Sequence, residues 1–312
     1  MDSGGIHLRS VTDHHELLTP TDCNRLYALM VEDTILAAHP MRDAADLRAV
    51  ARRLRLHALC AARGKGEAYI GQALQSAELF AVLYFRELNW SPSTQNDEAR
   101  DRLLLSVGHY GLAHYAAMAE HGLLTEDDLR TYGADGSALT LGAEPGDVPG
   151  MEFAGGSLGQ GLGVAGGLAW GLRYRGNSAR VFDYMSDGET QEGSTWEAAM
   201  FAGARELSNL TAIVDVNRTQ ADGDLVLEVE PLADKFRAFG WWARDVDGND
   251  VDALLDAFAA ADRDAGARPR ALIAHTRLAQ GAPSLQNRPH AHFVRMSADE
   301  WVTAQREIEE GS

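Results

Sequence analysis

The sequence predicts a three-layer α/β domain, a mainly parallel sheet with helices on both faces, and two stretches carry that expectation. Residues 179–186 form a short apolar run that stops at Asp187-Gly188; a helical pattern follows over 194–206, and the apolar run Thr211-Ala212-Ile213-Val214-Asp215-Val216 stops at Asn217. Strand, helix and strand within about forty residues read as a parallel crossover unit, because parallel strands need a long connection between them. A second pair, the helix 251–261 with its stripe Leu254, Leu255 and Phe258 and then the strand 270–276, extends the same sheet.

The remaining elements follow in order. Residues 1–42, rich in Asp and His, carry only a short helical pattern over 21–38 and read as an appended segment; the domain proper is expected over 43–312. Over 43–63, Ala45, Leu47, Val50, Leu54, Leu56 and Leu59 recur at helical spacing, and Arg48, Arg52, Arg53 and Arg55 between them read as a solvated face. A glycine-containing loop leads to a helix over 76–87, a third helix opens at Ser106-Val107-Gly108-His109 and runs to 121, and Thr125 caps a fourth with Asp128 three residues on. The first half is therefore expected to be mainly helical. Residues 134–155 form a long Gly-, Pro- and acid-rich loop of the kind that is often functional. It ends in a glycine run, 155–163, that continues as a Gly- and Ala-studded helix over 164–174, able to approach a neighbouring subunit closely.

Charge excludes several functions. With 28 Lys and Arg against 46 Asp and Glu the formal charge is -18, a field that repels nucleic acid and anionic lipid. No run of about 18 apolar residues is present, and the first nineteen residues lack a basic start and an apolar stretch, so a cytoplasmic chain is expected. Cys23 and Cys60 are too few for a disulfide framework and read as small buried hydrophobes. The 31 glycines exceed the usual share of about 7%.

If the strands ending at Asp187 and Asn217 are neighbours, a carboxylate and an amide oxygen converge where ligands of parallel sheets bind. Two oxygen ligands with room for more suit Mg²⁺ or Ca²⁺ carrying a diphosphate. Asp-Gly and Asn are equally good turn residues, so spacing alone leaves both readings open.

The run Ser186-Asp187-Gly188-Glu189-Thr190-Gln191-Glu192-Gly193, then Trp196-Glu197-Ala198-Ala199, closing with Asn209 to Asn217, resembles the thiamine diphosphate motif of transketolases. The resemblance extends to Gly156-Ser157-Leu158-Gly159-Gln160-Gly161-Leu162-Gly163, to Asp101 through His109, and to His292 with Ser297-Ala298-Asp299-Glu300. It spans roughly 45–305, the cofactor-diphosphate domain, and so is similar to the N-terminal subunit of a split, two-chain transketolase. It implies a three-layer thiamine diphosphate-binding fold. Asp187, Asn217 and the carbonyl of Thr219 would hold Mg²⁺, and Gly188 would donate to the diphosphate. Gly156 and Leu158 would pack the cofactor, and Glu192 would serve contacts between cofactor halves. His109 and His292 would line the catalytic pocket, where imidazole suits proton handling near neutral pH. The implied activity is transfer of a two-carbon unit from a ketose or α-keto acid donor to an aldehyde or ketone acceptor.

The implied partner is a C-terminal subunit carrying the pyrimidine-binding domain and its activating glutamate, in an α2β2 heterotetramer; no residue of this chain matches that glutamate. Two family histidines are also replaced: Tyr69 stands at one, Ala143 or Glu144 at the other. That leaves the cofactor site intact and the sugar-donor site altered, with pyruvate as an alternative donor in specialised metabolism.

Weaker signals read as structural. His290 beside His292 is expected to be a loop histidine, His14-His15 a surface pair, and of Trp241-Trp242 one is expected in the core and the other at an interface. A nicotinamide site at Gly159-x-Gly161-x-Gly163 is disfavoured because no β-branched strand precedes it and Asp183 lies inside a strand. The intact motif residues disfavour a non-catalytic scaffold.

Overall fold

The computed structural model describes residues 42–144, 148–153, 155–221, 223, 225–288 and 291–311. The helical pattern at 21–38, Cys23, His14-His15 and His290 lie outside the described residues.

Helix α1 (Ala44–Lys65) starts where Asp43 accepts the Asp46 N–H at 2.9 Å and stops at Gly66, whose φ of +81° ends the helix in the left-handed region. Its apolar stripe, Leu47, Val50 and Leu54, is buried. The arginines between are not one solvated face. Arg55 is buried in an ion pair with Glu78 (2.6 Å) and Arg53 forks onto the nearly buried Glu120 (2.7 and 3.0 Å), whereas Arg48 and Arg52 stay exposed. The interior offered each buried guanidinium a carboxylate that the local pattern could not reveal.

The region read as a loop before residue 76 is ordered. Strand β1 (Glu67–Ala68) pairs antiparallel with β7 (Val294–Arg295), and α2 (Ile70–Gln75) leads into α3 (Ala77–Val82), which ends in a π turn, Leu83–Glu87. Every residue of α2 and α3 is buried, so neither shows the half-polar periodicity by which a surface helix is read. The expectation of a helix from residue 106 is corrected as well. Strand β2 (Arg102–Leu105) runs into Ser106-Val107 and a 3₁₀ turn (Gly108–Tyr110) before α4 (Gly111–Glu120) begins. Four residues of buried leucine-rich strand look like buried helix by pattern alone. Helix α5 (Glu126–Arg130) has the expected Thr125–Asp128 capping box.

The crossover prediction holds. Strands β3 (Val181–Ser186) and β4 (Leu210–Val216) flank α7 (Gly193–Ala204), which follows α6 (Gly161–Tyr174) and β3 in the chain; α8 (Leu232–Ala238), β5 (Trp242–Asp247), α9 (Val251–Asp264) and β6 (Arg270–His275) follow. The five-stranded sheet runs β2-β3-β4-β6-β5, every pair parallel. On one face Leu162 and Ala165 of α6, Ala199 and Ala202 of α7 and Phe236 of α8 pack with Met185, Val214 and Ile273. On the other, Phe80 of α3 lies 5.2 Å from the Tyr184 ring. Helices α10 (Pro283–Gln286) and α11 (Ala298–Glu310) close the described chain, α11 with a Ser297–Glu300 capping box.

Trp241 is the core tryptophan of its pair. It is 1% exposed, stands 5.2 Å edge-on to Phe236 and donates its indole N–H to Ala199 at 2.9 Å, while Trp242 is half-buried at the start of edge strand β5. Trp241→Ala is expected to cost about 3–5 kcal/mol, and Trp242→Ala about 1 kcal/mol or less, in urea unfolding of the two variants.

Candidate active site

The parallel register of β3 and β4 sets Ser186 opposite Asp215 and so brings Asp187 and Asn217 to one edge of the sheet. Asp187 donates its N–H to the Asp215 carbonyl (3.0 Å). Its Oδ1 accepts the Gly188 N–H and its Oδ2 the Arg218 N–H, both at 2.8 Å. Arg218 reaches that position at a φ of +57°, a strained conformation for a non-glycine residue of the sort that gathers at functional sites. Asp187 is 1% exposed, and burial pushes its carboxyl up to about 6 against the pull of the two N–H donors.

Asn217 is oriented from behind. Its Nδ2 donates to Gln75 Oε1 (3.2 Å) and to the Tyr110 hydroxyl (3.3 Å), and its Oδ1 accepts the Thr219 N–H at 2.8 Å. Gln75 in turn donates to Tyr110 (2.8 Å) and to Asp215 Oδ2 (2.9 Å). Tyr184 donates to the same oxygen at 2.7 Å and Thr276 to Oδ1. Asp215 is fully buried, so burial pushes its carboxyl up while these donors oppose the shift. None of Gln75, Tyr110, Tyr184 or Thr276 stood out in the sequence. The one available signal was Asp215 itself, an acid inside an otherwise apolar, wholly buried strand.

Glycine 155 lies against the end of β2. A Cβ there would sit 1.6 Å from the Ser106 carbonyl, and one on Gly108 would sit 2.2 Å from the Gly155 carbonyl, so only glycine fits at either place. The loop is then stapled to the Asp187 turn. Glu189 Oε1 accepts the Gly159 N–H (3.0 Å) and the Ser106 hydroxyl, and Ser106 Oγ accepts the Gly161 N–H (3.0 Å). Asp183, inside β3 as the sequence indicated, is fully buried below this loop, and burial with the nearby Glu189 pushes its carboxyl up.

A cavity of about 610 Å³ opens beside the loop, walled by Tyr69, His109, Ala143, Glu144, Gly156 and Phe293 among others. Tyr69 stands 5.2 Å from the His109 ring and 5.5 Å from His292, the two imidazoles lie 5.3 Å apart, and Phe293 closes on Tyr69 at 4.8 Å. Burial, with His292 beside it, lowers His109 to about 4; burial also lowers His292. His109 packs on Tyr110 at 5.0 Å, and Tyr110 touches Asn217, which joins the cavity to the strand ends. Ala143 and Glu144 divide their position: Ala143 is buried, its Cβ filling the space above Gly111, while Glu144 is exposed. Half-buried Leu158 and exposed Glu192 lie off the cavity lining, the Glu192 side chain filling the space above Gly159. Among the described residues no three His, Cys, Asp or Glu gather as a metal cluster, and no helix is long and apolar enough to cross a membrane.

The family model for the transketolase thiamine diphosphate binding domain matches residues 47–309. The chain belongs to the transketolase family. It is 49% identical over 263 residues to the uncharacterised transketolase family protein y4mO of Sinorhizobium fredii, covering 84% of this chain and 94% of that protein. It is 35% identical over 246 residues to the 6-deoxy-6-sulfo-D-fructose transketolase subunit SqwG of a Clostridium species, covering 78% and 89%. It is 34% identical over 244 residues to one of the subunits of the apulose-4-phosphate transketolase of Actinobacillus succinogenes, covering 78% and 88%. The solved transketolase of Leishmania mexicana superposes with a TM-score of 0.76 at 26% identity, covering 86% of this chain and 42% of that one. The chain thus spans about two fifths of that solved relative, and the transketolase-family three-layer fold is established for it.

Because His109 is buried uncharged, the stability it contributes is present above the ordinary imidazole value of 6.5 and is lost as pH falls towards 4. In an NMR titration its ring, assigned by loss of the signal in His109→Gln, is expected to titrate near pH 4; a midpoint near 6.5 contradicts the burial argument.

Proposed function

We propose that this transketolase-family chain is the thiamine diphosphate- and Mg²⁺-binding subunit of a two-chain enzyme that transfers a two-carbon unit from a ketose-type donor to an aldehyde or ketone acceptor. One observation carries the reading: an oriented amide and a buried carboxylate at the ends of adjacent parallel strands, beside a cavity lined by His109, whose imidazole has that of His292 5.3 Å away.

The residues fit the group. Asp187 is a buried carboxylate whose oxygens are met by backbone N–H groups, and its raised value is what a divalent cation would reverse by favouring the charged form. Asn217 Oδ1 and the Thr219 carbonyl add hard oxygen donors suited to Mg²⁺ or Ca²⁺. Gly188, Gly156 and Leu158 would take the diphosphate and ring region. Bound thiamine diphosphate supplies the carbon nucleophile. The chain's own residues do the rest: His109 and His292, neutral at pH 7, accept and return protons of substrate hydroxyls, and Tyr69 offers a hydroxyl at the same wall. Phe293, Leu141 and Ala143 keep that wall apolar.

The partner supplies the pyrimidine-binding domain and its glutamate, in an α2β2 assembly in the cytoplasm, with Glu192 placed for contacts across it. Two relatives of similar length that are named as transketolase subunits support the split design. A second reading keeps the assembly but takes pyruvate as donor. It is favoured by Tyr69 standing where the family has histidine and by Ala143 being buried against Gly111, which leaves only Glu144 to bond a hydroxyl from that side.

Four outcomes are expected in coupled assays. The purified chain alone shows no turnover, and the reconstituted pair uses ketose phosphates over pyruvate; steady turnover without the partner overturns the split reading, and activity confined to pyruvate moves the proposal to the second donor. In the pair, Tyr69→Phe lowers kcat/KM about tenfold through one lost hydrogen bond. Asp187→Ala abolishes activity.

A further inference from the structure

Arg48, Arg52, Arg53 and Arg55 of α1 are not accounted for by the cofactor site. Arg48, Arg52 and Arg55 line a second cleft, of about 890 Å³ and larger than the cavity described above. Ala45 and Ala49, one turn apart on the same helical face, leave space between the longer side chains. The opposite wall comes from the carboxyl ends of β5 and β6: Asp247, Asn249 and Asp250 on one loop, Arg277, Gln280 and Gly281 on the other. Gly281, at a φ of +87°, has Arg55 where a side chain would start, with a Cβ 3.1 Å from the guanidinium.

The charge of this cleft runs against that of the chain. Four guanidinium groups face three carboxylates, Glu78, Asp247 and Asp250, in a protein of net charge -18. Asp250 is committed to capping α9, accepting the N–H groups of Asp252 and Ala253. Arg55 is paired with Glu78, Arg277 meets Asp247 at 3.4 Å, and Arg48 reaches Asp252 on the rim. Arg52 makes its one described bond to a neutral acceptor, the Glu309 carbonyl at 3.2 Å. Among the described residues no carboxylate forms an ion pair with it, and the exposed Arg48 and Arg277 beside it keep donors to spare, since each guanidinium carries five N–H groups in a planar fork.

We propose that this cleft binds a small oxyanion, the phosphate or carboxylate group of a metabolite, with Arg52 and Arg48 as its principal ligands and Arg277 opposite. The site is separate from Asp187 and Asn217 and does not depend on the cofactor reading. Its floor does adjoin that network: the Asn249 amide donates to the Gln75 carbonyl (2.7 Å) and to Glu78 (3.2 Å).

Calorimetric titration of the full chain with inorganic phosphate and, separately, with malonate tests the assignment and tells a phosphate ligand from a carboxylate. Millimolar or tighter binding of at least one is expected. Affinity should fall about tenfold or more in Arg48→Gln/Arg52→Gln, which removes two charge-assisted contacts from exposed positions and leaves the circular dichroism spectrum unchanged. Arg52→Gln alone, expected to lose about fivefold, serves if the double variant does not fold. Asp187→Ala should bind the anion as the unaltered chain does. No binding of either anion, equal binding by the arginine variants, or loss of binding in Asp187→Ala overturns the proposal.

Discussion

The buried carboxylate of Asp215 is the constraint on which the site is built. It sits inside β4 shut off from bulk solvent, and an acid in that position is tolerable only if every oxygen is met by donors. Gln75, Tyr184 and Thr276 meet that requirement from α2, β3 and the end of β6, so one side chain draws three elements to the same edge of the sheet. Gln75 and Tyr110 then have bonds left for Asn217, and the direction of its amide is settled as a consequence. The backbone turn after Asn217 delivers the Arg218 N–H to Asp187. What looks like two separate candidate ligands in the sequence is one hydrogen-bonded assembly, and its geometry follows from the cost of leaving a buried acid unpaired.

The crossover unit, the strand-end positions of Asp187 and Asn217 and the cap at Thr125 were legible because each depends on local periodicity or local chemistry. Strand β2 and helix α2 were not, because short, fully buried segments lack the polar half of the pattern. Gln75 is separated from Asp215 by 140 residues and has no neighbour in sequence that would mark it. Arg53 and Arg55 were misread for a related reason: the carboxylates that take them inside, Glu120 and Glu78, belong to other helices. His109, His292 and Tyr69 were picked out by resemblance, and their rings do gather within 5.5 Å of one another.

Glycine and charge, the two compositional oddities, acquire places in the fold. Gly155 and Gly108 permit backbone-to-backbone contact at the end of β2, and Glu189 with Ser106 holds the following loop against the Asp187 turn. The excess of acid matters at the strand ends, where a diphosphate would meet Asp187 in a chain of charge -18. A divalent cation between them would convert repulsion into attraction, which under the proposed function makes the metal a condition of cofactor binding.

Calorimetric titration of thiamine diphosphate into the chain with its partner subunit, in Mg²⁺ and again in excess chelator, tests that condition directly. Saturable binding is expected in Mg²⁺, falling by about a hundredfold or more in chelator, with the same loss in Asn217→Ala when Mg²⁺ is present. Equal affinity with and without the divalent ion, or undiminished affinity in Asn217→Ala, would contradict it.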